Sequence, residues 1–281
     1  MHLNNMLHKL LMTYDIILSL DENHVAGLIT VINSIIINTP NTNNIRFNIL
    51  VYNNRDIFID MFKCKFGQNI IFRIEEFINY PQYIEFLNKN VHIIDTTGKF
   101  GYIANTMNFA RFYLPSIFPD ISIGLYLDSD VIVQTDITKI FNDPALPNNL
   151  NDIDIASPLN RSIECMNIHP KFNMTGNGFN TGVYILNFDK WRQNDLTQKC
   201  EELMLDHKKG NLFKLGTQPI INILYYGKCI DIDKRWNLTG LGSNEYDANK
   251  LAKSYILHWT GEKKPWMKNG LNKSIWEKYV I

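Results

Sequence analysis

Residues 15–20, Asp-Ile-Ile-Leu-Ser-Leu, form a nearly continuous apolar run of the length expected for a buried strand. The polar turn Asp21-Glu22-Asn23-His24 follows. Apolar residues then recur at helical spacing (Val25, Leu28, Ile29, Ile32, Ile35 and Ile36), which predicts a helix to Asn38 that Pro40 stops. A second strand is predicted at 46–51, a second helix at 56–66 with Gly67 as its C-cap, and a third strand at 70–74. Strand, helix, strand, helix, strand is the signature of a right-handed parallel α/β sheet. Further on, Asn105 can cap a helix over 106–114, and the apolar run Ile123–Leu127 leads into Asp128-Ser129-Asp130. The second half is less regular. A strand is expected at 179–188, an amphipathic helix at 191–207 and a late strand at 255–258. No Pro/Gly/Ser-rich linker and no internal repeat divides the chain. The pattern predicts one domain of two lobes, 13–133 binding a nucleotide and 134–281 completing the site. The ligand is expected at the carboxyl ends of the first-lobe strands.

Composition narrows the function classes. The 281 residues carry 28 Lys+Arg against 28 Asp+Glu, so the broad basic face that a nucleic acid polymer needs is not expected. Cys64, Cys165, Cys200 and Cys229 form no C-x-x-C pair, which argues against a zinc site or a redox motif and fits a reducing compartment. The opening MHLNNMLHKLLMTYD is too short and broken in its apolar run for a signal peptide, and no stretch reaches the roughly 20 apolar residues of a membrane span. A cytoplasmic protein is therefore expected, and the sequons at Asn173, Asn237 and Asn272 are expected to carry no glycan.

Asp-x-Asp occurs three times, at Asp128/Asp130, Asp152/Asp154 and Asp231/Asp233. Two carboxylates at i and i+2 of an extended segment can point to one side and suit Mg²⁺ or Mn²⁺, although the spacing alone more often describes solvated acids on a strand edge. Only Asp128 and Asp130 sit between strongly apolar runs, IGLYL and VIV. Charge beside a buried core is costly unless a cation compensates. In LHWTGEKKPW, His258 follows a strand and could complete a metal site or simply end that strand. Gly261 would allow close backbone approach to a ligand, and Lys264 could place a charge on a phosphate. Gly176-Asn177-Gly178 is not a dinucleotide fingerprint, and no phosphate-loop, Ser-His-Asp or Cys-His set is evident.

Taken in order, DIILSLDENHV, NFARFYLPSIFPD, YLDSDVIVQTDI, GFNTGVYILNFDKWR, KLGTQPIINILY, RWNLTGLG and LHWTGEKKPW resemble family 8 of the retaining nucleotide-sugar glycosyltransferases. That family includes glycogenin, bacterial lipooligosaccharide galactosyltransferases and plant galacturonosyltransferases. The wording of FARFYLP, FNTGV, WN-x-x-GLG and LHW-x-G-x-x-KPW follows the plant galacturonosyltransferase-like and animal branch. The resemblance spans Asp15 to Trp266 and implies a GT-A fold, a Rossmann-like, mostly parallel mixed sheet flanked by helices. It implies Mn²⁺ (or Mg²⁺) held by Asp128, Asp130 and His258 against the diphosphate of a UDP-sugar. Gly261 and Lys264 match diphosphate contacts, and Ser129 falls among the donor contacts. Ser19, Asp21, Asn23 and His24 match the loop that receives uracil and ribose. Arg111 matches an Arg reaching the donor sugar and phosphate, Asn180 an Asn beside the sugar, and Gln218 a Gln near the anomeric carbon. Thr217 departs from the bacterial and glycogenin branch, which has Asp there to hold the sugar's hydroxyls; this leaves the donor sugar open. The membrane anchor usual in plant and animal relatives is also missing.

The function expected is Mn-dependent, glycogenin-like retaining transfer of a hexose, glucose or galactose, from a UDP-sugar to a glycan or protein hydroxyl. A homodimer is allowed. Retaining hydrolases use a carboxylate nucleophile about 5 Å from the acid. No Asp or Glu matches that place, and an amide such as Gln218 is barely nucleophilic, so front-face attack is favoured. One alternative is galacturonosyl transfer, for which a further cation near the sugar's C6 would be expected and none is placed by the sequence. Another is a non-catalytic nucleotide-sugar binder, against which the intact Asp128, Asp130, His258 and Lys264 argue.

Overall fold

The computed structural model describes residues 13–20, 24–91, 106–214 and 216–281. Asp21, Asn23 and Asn105, singled out above, lie outside them. Seven strands form one mixed sheet: β1 (Tyr14–Ser19), β2 (Ile45–Val51), β3 (Ile71–Glu76), β4 (Ile123–Leu127), β6 (Ile155–Ser157), β9 (Val183–Asn187) and β10 (Cys229–Asp231), in the order β10-β6-β9-β4-β1-β2-β3. Strand β9 runs antiparallel to both β4 and β6; the other neighbours are parallel. Outside this sheet, β5 (Val131–Val133) pairs with β11 (Ile256–His258), and β7 (Arg161–Ser162) pairs with β8 (Asn177–Gly178).

Strand alternation distributes the apolar runs to both faces of the sheet. Ile17, Leu50, Tyr126 and Tyr184 pack into one core, and Ile16, Leu18, Ile49, Leu125 and Val183 into the other. The second core is closed by α1 (Val25–Asn38) and α2 (Arg55–Phe66), the latter ending at Gly67 with φ +77°. Helix α3 (Pro81–Asn90) packs Leu87 into the first core. The one acid inside β1, Asp15, is held by Arg46 Nε at 2.6 Å and Asn48 Nδ2 at 2.8 Å, which satisfies a carboxylate otherwise costly to bury.

Three expectations need correction. The helix expected at 106–114 is a composite: Thr106–Phe109 is α-helical, Ala110–Tyr113 tightens to 3₁₀, and Leu114–Ile117 restarts with a proline in its first turn. The helix expected at 191–207 is two, α4 (Phe188–Gln193) and α5 (Leu196–Gly210), broken where Asp195 turns left-handed at φ +52°. The strand expected at 179–188 is only β9. Phe179–Gly182 precede it as a turn, and Phe188 already opens α4.

The division expected at 133–134 falls at the end of β5, and β6, β9 and β10 beyond it join the same sheet as β1–β4. Among the described residues no helix is long and apolar enough to cross a membrane.

Candidate active site

Sheet topology brings the site together. β1 and β4 are parallel, so Ser19 and Asp128 leave the sheet at the same edge. β9 is antiparallel to β4 with Val183 opposite Leu127, so Asn180–Gly182, just before β9, arrive at that edge too. Asp128 N donates to Gly182 O at 2.8 Å. The ladder between β11 and β5 sets His258 opposite Val131, directly beside Asp130. Asp128 and Asp130 therefore flank a turn between β4 and β5, not an extended segment as the spacing suggested.

Each carboxylate uses one oxygen for anchoring and presents the other. Asp128 Oδ1 accepts from Arg111 Nη2 and Tyr126 OH, both at 3.1 Å, and Tyr126 OH is 2.9 Å from Ser19 Oγ. Asp130 Oδ2 accepts from Lys264 Nζ at 2.5 Å, and that ammonium also donates to Trp259 O at 2.9 Å. The remaining oxygens face one imidazole nitrogen: His258 Nε2 lies 3.7 Å from Asp128 Oδ2 and 3.2 Å from Asp130 Oδ1. One ligand atom from each residue falls within 4.8 Å of the others. Burial alone would push the Asp130 carboxyl up, but the Lys264 ammonium and His258 overcome it and hold the group well below the usual carboxylate range.

His258 is oriented from behind. Its Nδ1 lies 3.0 Å from Asn237 Oδ1; a proton donated there would leave Nε2 free to ligate a cation. Asn237 Nδ2 donates to Asn180 Oδ1 at 3.3 Å, and Asn180 Nδ2 donates to Gln218 Oε1 at 3.0 Å. A buried amide chain thus joins the imidazole to Gln218, which lies in the first turn of α6 (Thr217–Leu224). With its oxygen engaged, Gln218 has its NH₂ left to meet a ligand. Arg111 is buried, donates to Thr181 O at 2.8 Å and lies over the Tyr126 ring at 4.8 Å.

These groups line a cavity of about 770 Å³. Ser19, His24, Arg111, Asp128, Ser129, Asp130, Asn180, Gln218, His258, Gly261 and Lys264 all face it. Two glycines are required there for space. A Cβ on Gly182 would lie 2.2 Å from His258 Cε1 and 2.4 Å from Asp128 Oδ2, so the cradle exists only because this side chain is absent. A Cβ on Gly261, at φ +115°, would meet Ser243 Oγ at 2.2 Å. The donor set, hard carboxylate oxygens with one imidazole nitrogen around an open cradle, fits Mn²⁺ or Mg²⁺. The other acidic pairs are accounted for elsewhere: Asp154 pairs with Lys190, Asp231 accepts from Leu159 N, and Asp233 pairs with Arg235.

Sequence reasoning missed Asn237, Tyr126 and Arg161. Asn237 stands in the RWNLTGLG motif but was otherwise read only as a sequon; it is 1% exposed with its amide committed on both sides. Tyr126 is hidden in an apolar strand, and nothing in Pro-Leu-Asn-Arg161-Ser marks the arginine.

Comparison with known proteins agrees with this geometry. A family model described as Glycosyl transferase family 8 matches residues 15–270. Glycosyltransferase 8 domain-containing protein 1 of Danio rerio is 32% identical over 203 residues, covering 62% of this chain and 56% of the relative. An Arabidopsis thaliana protein named "Probable galacturonosyltransferase 10" is 30% identical over 192 residues, covering 62% of this chain but 34% of the plant protein. Those alignments thus span about half or less of these curated relatives' lengths. Among solved structures, the galactosyltransferase LgtC, in complex with donor and acceptor sugar analogs, superposes with a TM-score of 0.70 at 20% identity, covering 95% of each chain. The Streptococcus pneumoniae glycosyltransferase GlyE superposes at 0.66 and 18% identity, covering 96% of this chain and 60% of GlyE. At such identities the structural likeness concerns the GT-A fold.

Proposed function

The chain belongs to glycosyl transferase family 8, and on that premise we propose that it moves a hexose, glucose or galactose, from a UDP-sugar to an acceptor hydroxyl with retention of configuration. The observation that carries this reading is the convergence of Asp128 Oδ2, Asp130 Oδ1 and His258 Nε2 at the carboxyl edge of the sheet. A divalent cation, Mn²⁺ or Mg²⁺, held by those three atoms would supply charge neutralisation to the leaving diphosphate.

The rest is the work of the chain's own groups. Ser19 and His24, at the end of β1 and the start of α1, line the cavity and would receive the nucleoside. Lys264 and Arg111 bring fixed positive charge to opposite sides of the acidic pair, where phosphate charge grows as the bond breaks. Preorganised charge of this kind is worth several kcal/mol. The sugar meets Asn180 and the Gln218 amide. Because Asn180 already holds Gln218 Oε1, that oxygen is turned away from nucleophilic attack. This favours attack on the same face: the acceptor oxygen bonds to C1 as the C1–phosphate bond breaks, and the acceptor's proton passes to the departing phosphate oxygen.

The test is a screen of UDP-sugars with Mn²⁺ or chelator, reading UDP release, product mass and anomeric configuration. Expected are a UDP-hexose donor, loss of turnover in chelator and a retained anomer. Full turnover in chelator, or inversion, overturns the proposal.

A further inference from the structure

Arg161 has no role in the scheme above, yet it lines the same cavity. Arg46, Arg73, Arg111, Arg192 and Arg235 each meet a carboxylate. Arg161 meets none among the described residues, and its Nε is buried without a hydrogen-bond partner. Leaving a buried donor unsatisfied costs about 1–3 kcal/mol, and more for a charged group. The rest of this half-buried guanidinium, at the wall of a cavity and paired with no carboxylate among the described residues, is suited to an anionic ligand.

The proposed donor path runs from Ser19 and His24 past Asp128, Asp130 and His258 to Asn180 and Gln218, and Arg161 stands at its sugar end, where an acceptor must also arrive: Gly178, opposite it on β8, precedes Asn180 by two residues. Asn160, the neighbour of Arg161, donates to Asn237 O at 2.8 Å, at the root of the stretch whose Thr239, Gly240, Ser243, Asn244 and Tyr246 line the rest of the cavity. Strand β7 is held in place by the backbone of β8, with Arg161 opposite Gly178.

Charge points the same way. Arg111, Arg161, Lys263 and Lys264 face the cavity against Asp128, Asp130 and Glu262. A divalent cation and a nucleotide-sugar diphosphate offset each other, so among the described residues one positive charge remains uncompensated. A planar guanidinium pairs best with a carboxylate or phosphate, which it can grip with two parallel N–H bonds.

We propose that Arg161 binds an anionic group on the acceptor, so that the acceptor is a negatively charged glycan. This rests on the transferase reading above and adds its acceptor class. The test compares methyl galactoside, its 6-carboxylate (uronate) counterpart and its 6-phosphate as acceptors, each with UDP-hexose and UDP-uronate donors. Wild type, Arg161→Gln and Arg161→Lys are assayed, and UDP binding with Mn²⁺ verifies that each variant is folded. A charge-assisted pair of about 1.5–3 kcal/mol predicts an acceptor KM roughly 10–100-fold lower for the anionic compounds in the wild type. Arg161→Gln should erase that gap through acceptor KM more than kcat, and Arg161→Lys should restore part of it. The inference is overturned if the wild type treats neutral and anionic acceptors alike, which needs no variant to establish. It is equally overturned if the charge preference follows the uronate donor, or if Arg161→Gln weakens all acceptors equally. Absence of UDP binding and of UDP release with every donor would instead remove the transferase reading itself, and this inference with it.

Discussion

Lys264→Met is the most informative perturbation, because the lysine pairs with Asp130 in the empty site and, in the proposed reaction, faces the donor's diphosphate. Lys264 and Asp130 are each 7% exposed, and their ion pair is 2.5 Å long. Removing one member of such a pair leaves a buried, uncompensated carboxylate and costs about 3–5 kcal/mol. At roughly 2–4 °C per kcal/mol for a chain of this size, the metal-free variant should melt about 6–20 °C lower than the wild type. Loss of the ammonium also removes a positive charge from beside the metal cradle. Mn²⁺ should therefore bind the variant more tightly than the wild type without nucleotide, by about tenfold or more. Saturating Mn²⁺ should recover much of the lost melting temperature, since a ligand at 100 times its Kd adds about 2.7 kcal/mol. Catalysis should move the opposite way. With the best donor, kcat should fall roughly 10²–10³-fold and the donor KM should rise less, as expected of a charge that matters most when the phosphate departs. Lys263→Met, at an exposed neighbour, should change little. The assays are calorimetric melting, Mn²⁺ titration and steady-state kinetics. A metal-free Lys264→Met as stable as the wild type, or weaker Mn²⁺ binding, refutes the reasoning. So does a larger kinetic loss at Lys263.

Gly182→Ala should lower Mn²⁺ affinity at least about tenfold, measured by titration, because its methyl would occupy the space between His258 and Asp128. Asn237→Ala should cost about 10–100-fold in metal affinity by freeing the His258 ring; unchanged Mn²⁺ binding would show that the imidazole needs no such partner. Of the four cysteines, exposed Cys64 and Cys165 should react with a thiol reagent at pH 8, half-buried Cys229 more slowly, and buried Cys200 only on unfolding. Burial pushes the Cys229 thiol up to about 12, so its contribution to stability is complete below the unfolded value of about 8.5 and is lost as pH rises toward 12; denaturant melts between pH 7.5 and 10 should show the decline.

The first half of the fold was legible because its periodicities are clean. The helix Val25–Asn38 was read to both ends, with Pro40 just beyond its last residue, and Ile123–Leu127 came directly from an unbroken apolar run. Interruptions were harder. Asp195 reads as one more polar position on a helix surface, and only its left-handed backbone separates α4 from α5. In the site, the cluster of Asp128, Asp130 and His258 could be read because acids and a histidine beside apolar strands are conspicuous. Tyr126 reaches Ser19 across 107 residues, and Asn237 reaches Asn180 across 57 and His258 across 21; a neutral amide or a core tyrosine carries no chemical signature of such service. Arg161 illustrates the same limit from the other side, since its lack of a partner is visible only once the fold has placed everything around it.

The pairing of β11 with β5 also sets when this protein can begin to work. Lys264 follows Asp130 by 134 residues, so at about 5–20 residues per second a ribosome delivers the second roughly 7–27 s before the first. During that interval the acidic turn already exists while its histidine and lysine do not. The nascent chain can assemble the parallel core of β1, β2 and β3 from near neighbours, but the cradle closes only when the strand ending at His258 zips onto β5. The maturation of the site is thereby a late, long-range event, and a synthesis pause before that strand would yield a sheet with its donor edge formed and no third ligand to complete it.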